Sequence, residues 1–296
     1  MESLFDPAKI IVSNGSNFSL SDYQTDYTGS LKKKKDGLKI LEANRDKLHD
    51  LQRMMYANDS HSVLLIFQAM DAAGKDSTIR KVFANNFPQA SRVNSFKAPS
   101  KKELDHDYLW RSAKVLPERG TFGIFNRSYY EEVLVTRVHP QYIIGQRIPG
   151  IDDVSKIDEQ FWDKRLKAIS DHESHLAENG TVILKFFLNV SKEEQKRRFL
   201  RRIELQEKNW KFNIGDLKER ARWDDYMAAY QSAIEKTSKS YAPWHIIPAD
   251  NKWFMQTVVS EIVVNALEGL NLSYPTVSES DQADLEKGLN LLKAET

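Results

Sequence analysis

The sequence predicts an α/β fold, a mostly parallel five-stranded sheet with helices on both faces. Three observations carry this. Five short apolar runs, at residues 62–67, 90–96, 120–125, 181–189 and 244–248, alternate with segments of helical spacing. The first run leads straight into Ala69-Met70-Asp71-Ala72-Ala73-Gly74-Lys75-Asp76-Ser77-Thr78, a small-residue turn that opens a helix. The 296 residues, 41% hydrophobic and 29% charged, have ordinary globular composition. That length suits one large domain with helical additions, or two smaller ones.

In chain order, residues 1–30 are polar and short-patterned and read as an irregular arm. Leu38, Leu41, Leu48, Leu51, Met54 and Met55 set helical spacing over 38–57, so 1–57 forms an N-terminal arm and helix packing on the core. Lys32-Lys33-Lys34-Lys35 reads as a solvated charge run. The helix after the small-residue turn covers 75–86 and is punctuated by Pro88. Strand 90–96 precedes a helix over 101–115, with Leu104, Tyr108, Leu109 and Ala113 near one side. After strand 120–125, Ser128 caps a helix through 137, with Glu131 three residues on as in a capping box. A charged helix over 157–178 ends at Asn179-Gly180. Ser191 and Glu194 repeat the capping pattern after strand 181–189, and a long basic segment follows to 239. The last strand is 244–248 and the last core helix 251–270. The core domain is thus 58–272 with a lid at 191–222. Leu285, Leu289 and Leu292 give the 273–296 tail helical spacing.

A buried strand, a small-residue turn and a Gly-Lys pair at a helix start make the layout of a phosphate-binding loop. Backbone N–H groups there converge on one anion, and the helix dipole favours negative charge. Ala72, Ala73, Gly74, Asp76 and Ser77 stand where such groups are needed, and Lys75 adds a mobile charge for terminal phosphates. Against the pattern GxxxxGK[ST], Ala69 replaces the first Gly and Asp76 replaces the Mg²⁺-binding Ser or Thr, with Ser77 and Thr78 directly after. Asp71 is an extra carboxylate within the loop. Phosphates repel it unless a cation intervenes, so it reads either as a Mg²⁺ ligand or as a base for an attacking phosphate. The bland alternative is an Asp capping the turn or the helix.

Ligands of such sheets bind beyond the carboxyl ends of the strands. Asn126-Arg127 follows the third strand, where phosphate-loop folds usually place an acidic metal-site residue. Asn126 is a weaker ligand. Arg127 can clamp an anion with two parallel hydrogen bonds, or form a structural ion pair with Glu131 or Asp105. The lid holds eleven lysines and arginines against six carboxylates. Among them Arg197/Arg201 and Arg198/Arg202 are like charges at i,i+4, which a polyphosphate-like anion would relieve. Trp210, Phe212 and Trp223 read mainly as packing anchors for the lid. His172 and His175 sit with Glu173 and Glu178 on a charged helix and do not read as a metal site, and Asp224 and Asp225 read as helix surface.

Composition excludes several classes. The absence of cysteine rules out a disulfide scaffold and Cys-based metal or nucleophile chemistry, and suits a reducing cytosol. The N-terminus lacks the basic start and apolar core of a signal peptide, and no apolar run approaches the ~20 residues of a membrane helix. A net charge of +1 leaves attraction to polyanions to local clustering.

Four separated stretches, in order, resemble the polyphosphate kinase 2 family: 68–76, then Phe96-Lys97-Ala98-Pro99 with His106-Asp107-Tyr108-Leu109-Trp110-Arg111, then 125–131, then 198–212. The resemblance spans about 30–270. It implies a P-loop kinase, thymidylate-kinase-like fold, a three-layer sandwich with a helical lid. It implies reversible phosphoryl transfer from inorganic polyphosphate to nucleotides with Mg²⁺, or Mn²⁺ in its place. The family's catalytic positions fall on Asp71, Lys75 and Arg127, with Asn126 at the strand-end acidic position and Asp71 as the metal ligand. Lys97, Arg111, Glu131, Arg198, Arg202 and Lys208 fall in the motifs that bind polyphosphate or nucleotide. Glu131 after Tyr129-Tyr130, followed by Val133-Leu134-Val135, resembles the subgroup that phosphorylates both AMP and ADP. The family further implies a homo-dimer or tetramer, and the expected enzyme is cytoplasmic with no nucleic-acid or membrane partner. The rival expectations are an ATP-dependent nucleoside monophosphate kinase and a non-catalytic polyphosphate- or nucleic-acid-binding module.

Overall fold

The computed structural model describes residues 4–295, so the outermost ends of the expected arm and tail, 1–3 and 296, lie outside it. Six strands form one sheet: β1 (Ile11–Val12), β2 (Ser62–Gln68), β3 (Ser91–Ser95), β4 (Phe122–Asn126), β5 (Thr181–Asn189) and β6 (Trp244–Pro248). Their spatial order is β1-β6-β5-β2-β4-β3. The five expected strands are all parallel to one another. The sixth, β1, runs antiparallel to β6 with Ile11 opposite His245. Residues 1–30 are therefore not wholly irregular: fully buried Ile10 leads into a strand two residues long, too short for a period-two pattern to register.

Every residue of β2 is buried, as a central parallel strand covered on both faces requires. The helices are α1 (Lys34–Asn58), α2 (Lys75–Val82), α3 (Lys101–Leu104), α4 (Trp110–Ala113), α5 (Val135–Val138), α6 (Gln141–Ile144), α7 (Glu159–Glu178), α8 (Lys192–Glu204), α9 (Ile214–Ala221), α10 (Trp223–Thr237), α11 (Lys252–Glu268) and α12 (Glu279–Ala294). α1 packs along α11. Its buried stripe is Gly37, Leu41, Asn44, Leu48, Gln52 and Met55, where Leu41 and Leu48 each contribute about 1.5–3 kcal/mol of burial. Gly37 is needed for the close approach: a Cβ there would stand 2.6 Å from the Trp253 ring. Leu38, expected on the stripe, is exposed.

Three expected helices differ. The 101–115 segment is two short helices, because the Asp107 side chain accepts from Leu109 N (2.9 Å) and restarts the chain at Trp110. The 128–137 segment begins as a 3-10 turn over Tyr129–Glu132, since Ser128 caps Tyr130 N rather than Glu131 N. The helix expected over 75–86 ends at Val82. At α8 the capping pattern forms by half. Ser191 Oγ accepts from Glu194 N (3.0 Å), but the Glu194 carboxylate turns to Arg197 and Arg198. Ser191 N donates to Asp250 instead (2.8 Å).

A charged pair lies deep in the apolar core. Lys185 of β5 and Glu173 of α7 are both fully buried, 2.6 Å apart. Glu173 also accepts from the hydroxyls of Tyr129 and Tyr130. Such a pair endures only because the remaining polar valences are met.

Candidate active site

The loop 69–74 joins buried β2 to α2 at the carboxyl end of the sheet. Gly74 caps α2 with φ 115°, which L side chains rarely adopt. Ala72, at φ 61°, holds the left-handed region without that freedom. Lys75 is buried, and its Nζ donates to the Ala69 carbonyl at 2.7 Å. Burial, then the neighbouring Arg127, lower its pKa to about 8 against the opposing pull of Asp71, Glu131 and Asp76. The Ser77 and Thr78 hydroxyls both donate to the Gly74 carbonyl and tighten the turn.

β4 delivers the facing wall. Arg127 also has positive φ, 65°, and its N–H donates to the Phe67 carbonyl of β2 at 3.0 Å. Its guanidinium lies 3.1 Å from Asp71 Oδ1 and 3.3 Å from Glu131 Oε2. Glu131, then Asp71, raise its pKa and keep it charged. Asn126 Nδ2 donates to Asp76 Oδ1 at 2.7 Å. Gln68, with its amide N–H turned to the carboxylate, donates to Glu131 Oε1 at 2.9 Å. Glu131 is thus held between Gln68 and Arg127 and acts on the cleft through Arg127.

The cleft over the loop has a volume of about 1110 Å³. Twelve lysines and arginines line it against four carboxylates. Asp71, Ala72, Gly74, Lys75, Asp76, Ser77, Lys97, Asn126, Arg127, Arg198, Arg202 and Lys208 come together there. Three expected residues lie behind it. Ala73 is buried. Glu131 stands behind Arg127. Arg111 is buried, pairs with Glu132 at 3.6 Å, and donates to the Lys97 carbonyl at 2.7 Å. Arg198 touches the cleft, yet its guanidinium is engaged by the carbonyls of Ala72, Ala73, Ala249 and Asp250. Arg202 pairs with Asp216 across the lid at 3.2 Å.

Among the described residues no three His, Asp or Glu side chains converge on a metal position. Asp71 and Asp76, on either side of Lys75 in the chain, offer hard oxygens. A divalent cation that keeps water and substrate phosphates as its other ligands asks no more of the protein.

Sequence reasoning missed Lys252, Lys34 and Lys81, which also line the cleft. Burial, then Arg198, lower the Lys252 pKa to about 8. Lys252 follows the carboxyl end of β6, and ligands of such sheets bind beyond those ends, which is the signal that could have found it. Lys34 was hidden in a run that reads as solvated.

A parallel sheet carrying a Gly-Lys loop at its central strand, under a basic helical lid, defines a phosphotransferase of the P-loop kinase class. The comparisons narrow the class. The chain belongs to the polyphosphate kinase 2 family, whose profile matches residues 31–274. It is 46% identical over 274 residues to an ADP-polyphosphate phosphotransferase of Rhodopseudomonas palustris, covering 93% of this chain and 94% of that one. It is 44% identical over 259 residues to an AMP/ADP-polyphosphate phosphotransferase of Meiothermus ruber, covering 87% and 91%. The crystal structure of polyphosphate kinase 2 from Arthrobacter aurescens matches with a TM-score of 0.86 at 38% identity, covering 97% of this chain and 99% of that one.

Proposed function

We propose that this phosphotransferase moves phosphoryl groups reversibly from inorganic polyphosphate to AMP and to ADP, giving ADP and ATP. The observation that carries this is the cleft, a long cationic wall built for a polyanion with the carboxylate of Asp71 set in the loop itself. A carboxylate there weakens simple polyanion binding, so it argues for turnover over a binding module. The ADP and AMP/ADP names of the two relatives, and Glu131 after Tyr129-Tyr130, support both acceptors.

In this account an oxygen of the acceptor's terminal phosphate attacks the end phosphorus of the chain. The bond from that phosphorus to the bridging oxygen breaks, and the shortened chain leaves with the oxygen. Asp71 either takes up the proton of the attacking phosphate or helps hold a divalent cation. Lys75, Arg127 and the lid cations neutralise charge on the transferred group and the leaving chain, so positioning and electrostatics carry the rate. Asn126 fixes Asp76, and Arg111 fixes the backbone that presents Lys97. Asp71 and Asp76 would hold Mg²⁺, or Mn²⁺ in its place, and the cation would supply further charge neutralisation. The nucleotide substrates and the absence of cysteine support a cytoplasmic enzyme, and the family supports a homo-dimer or tetramer. Among the described residues no helix is long and apolar enough to cross a membrane.

ATP formation from ADP with polyphosphate as sole donor tests the proposal. Transfer only when ATP is the donor would turn it into a nucleoside monophosphate kinase, and salt-sensitive polyphosphate binding without turnover into a binding module.

A further inference from the structure

The first helix of the lid also holds the phosphate-binding loop from behind. Gln195, fully buried on α8, donates from its side-chain amide to the backbone carbonyl of Asp71 at 2.9 Å. Its amide oxygen accepts from Arg220 of lid helix α9 at 2.7 Å. The same Arg220 nitrogen donates to the Lys192 carbonyl at 2.7 Å. One turn along α8, Arg198 donates to the carbonyls of Ala72 (3.1 Å) and Ala73 (2.5 Å). Three successive loop carbonyls are therefore held by side chains of one helix. The middle residue, Ala72, is in the left-handed region. A non-glycine residue persists there only where its surroundings over-determine it.

The near end of α8 is fixed to the core, because Ser191 N donates to Asp250 and Arg198 to the Ala249 carbonyl. α9 is held differently. Its contacts are charged and partly open to solvent: Asp216 with Arg202, and Glu219 with His139 at 2.8 Å and with the Tyr226 hydroxyl at 2.6 Å. None of the residues of α9 is buried, and Arg220 links this outer helix to Gln195. An amide donates one way and accepts the other, and linked hydrogen bonds polarise one another.

We propose that Gln195 is a positioning residue that couples lid helix α9 to Asp71. Arg220 orients the amide, and the amide fixes the loop conformation that aims the Asp71 carboxylate toward Arg127. With α9 displaced the amide loses its orienting partner, the loop loosens, and the carboxylate leaves its place. This role rests on the phosphotransfer account, but one arm of its test does not.

Gln195→Glu keeps an acceptor for Arg220 and sets a carboxylate oxygen against the Asp71 carbonyl. Arg220→Met keeps the amide and removes the lid's hold on it. Hydrogen exchange of the intact enzyme, read on peptides covering 70–78, is measured beside kcat and KM for ADP. Both variants are expected to speed loop exchange about fivefold or more while β2 and β5 stay protected. They are expected to lower kcat about tenfold or more, with KM moved less than about threefold. Faster exchange throughout the core with kcat retained would mean simple packing and overturn the proposal. Unchanged loop exchange in Arg220→Met overturns it as well, whatever kcat does. If Gln195→Glu does not fold, Arg220→Met, at a half-exposed site, decides alone. A wild-type enzyme without polyphosphate-dependent turnover would sink the phosphotransfer account, while loop exchange still decides the coupling.

Discussion

Asp71 and Arg127 face each other across 3.1 Å from the ends of two adjacent strands, and Arg127 holds a left-handed backbone to do so. The pair brings opposite charges to the point where phosphate must enter, so each is partly neutralised until substrate arrives. Asp71→Asn keeps the size of the side chain and removes its charge. It should lower kcat by about a hundredfold or more with Tm little changed. A variant with near-normal turnover contradicts the role given to Asp71.

Glu131 stands behind Arg127 rather than in the cleft, so it tunes where the guanidinium points. With AMP the acceptor is one phosphate shorter and depends more on that aim. Glu131→Asn should therefore harm the AMP reaction more than the ADP reaction, by about tenfold in relative kcat/KM. Parallel assays with both acceptors check this, and equal losses contradict it.

Lys75 and Lys252 both have pKa values lowered to about 8, chiefly by burial. Each is charged below that pH and neutral above it, and only the charged form attracts a polyanion. kcat/KM for polyphosphate should therefore fall as pH rises through about 8, since that quantity reports the free enzyme. Bound anion raises both values, so kcat at saturation should fall at higher pH. In Lys252→Met the fall should persist, carried by Lys75. A kcat/KM profile flat to about pH 9.5 contradicts the assignment.

Lys185→Met leaves Glu173 buried without its cation. Loss of one partner of such a pair costs about 3–5 kcal/mol, read as a lower urea midpoint. Combining it with Glu173→Gln removes the stranded charge and should restore part of the loss. A single variant as stable as the parent contradicts the account of the core.

The parallel strands and the loop were legible because both are local signals. A fully buried strand is a continuous apolar run, and Gly74-Lys75 marks a helix start. Boundaries at 181–189 and 244–248 match the structure for the same reason. What failed to show in the sequence was set by partners far along the chain. Arg198 carries the spacing of an anion-binding lid residue, yet loop carbonyls more than a hundred residues earlier engage its donors. Arg111 lies in a stretch from which the family resemblance leads one to expect substrate binding, but Glu132 and the Lys97 carbonyl hold it behind the cleft. Gln195 is an ordinary helix residue in sequence, and only the fold places Asp71 and Arg220 on either side of it. The capping pattern at Ser128 misled because its hydroxyl accepts from Tyr130 N rather than from Glu131 N, so the chain starts there as a 3-10 turn.

The most direct test of the central claim supplies AMP and long-chain polyphosphate with Mg²⁺ and no ATP, and follows the nucleotides by chromatography over time. The account predicts ADP first and then ATP, both dependent on polyphosphate. ATP formed from ADP but nothing formed from AMP would contradict the double acceptor range, and no product from either would contradict polyphosphate as the donor.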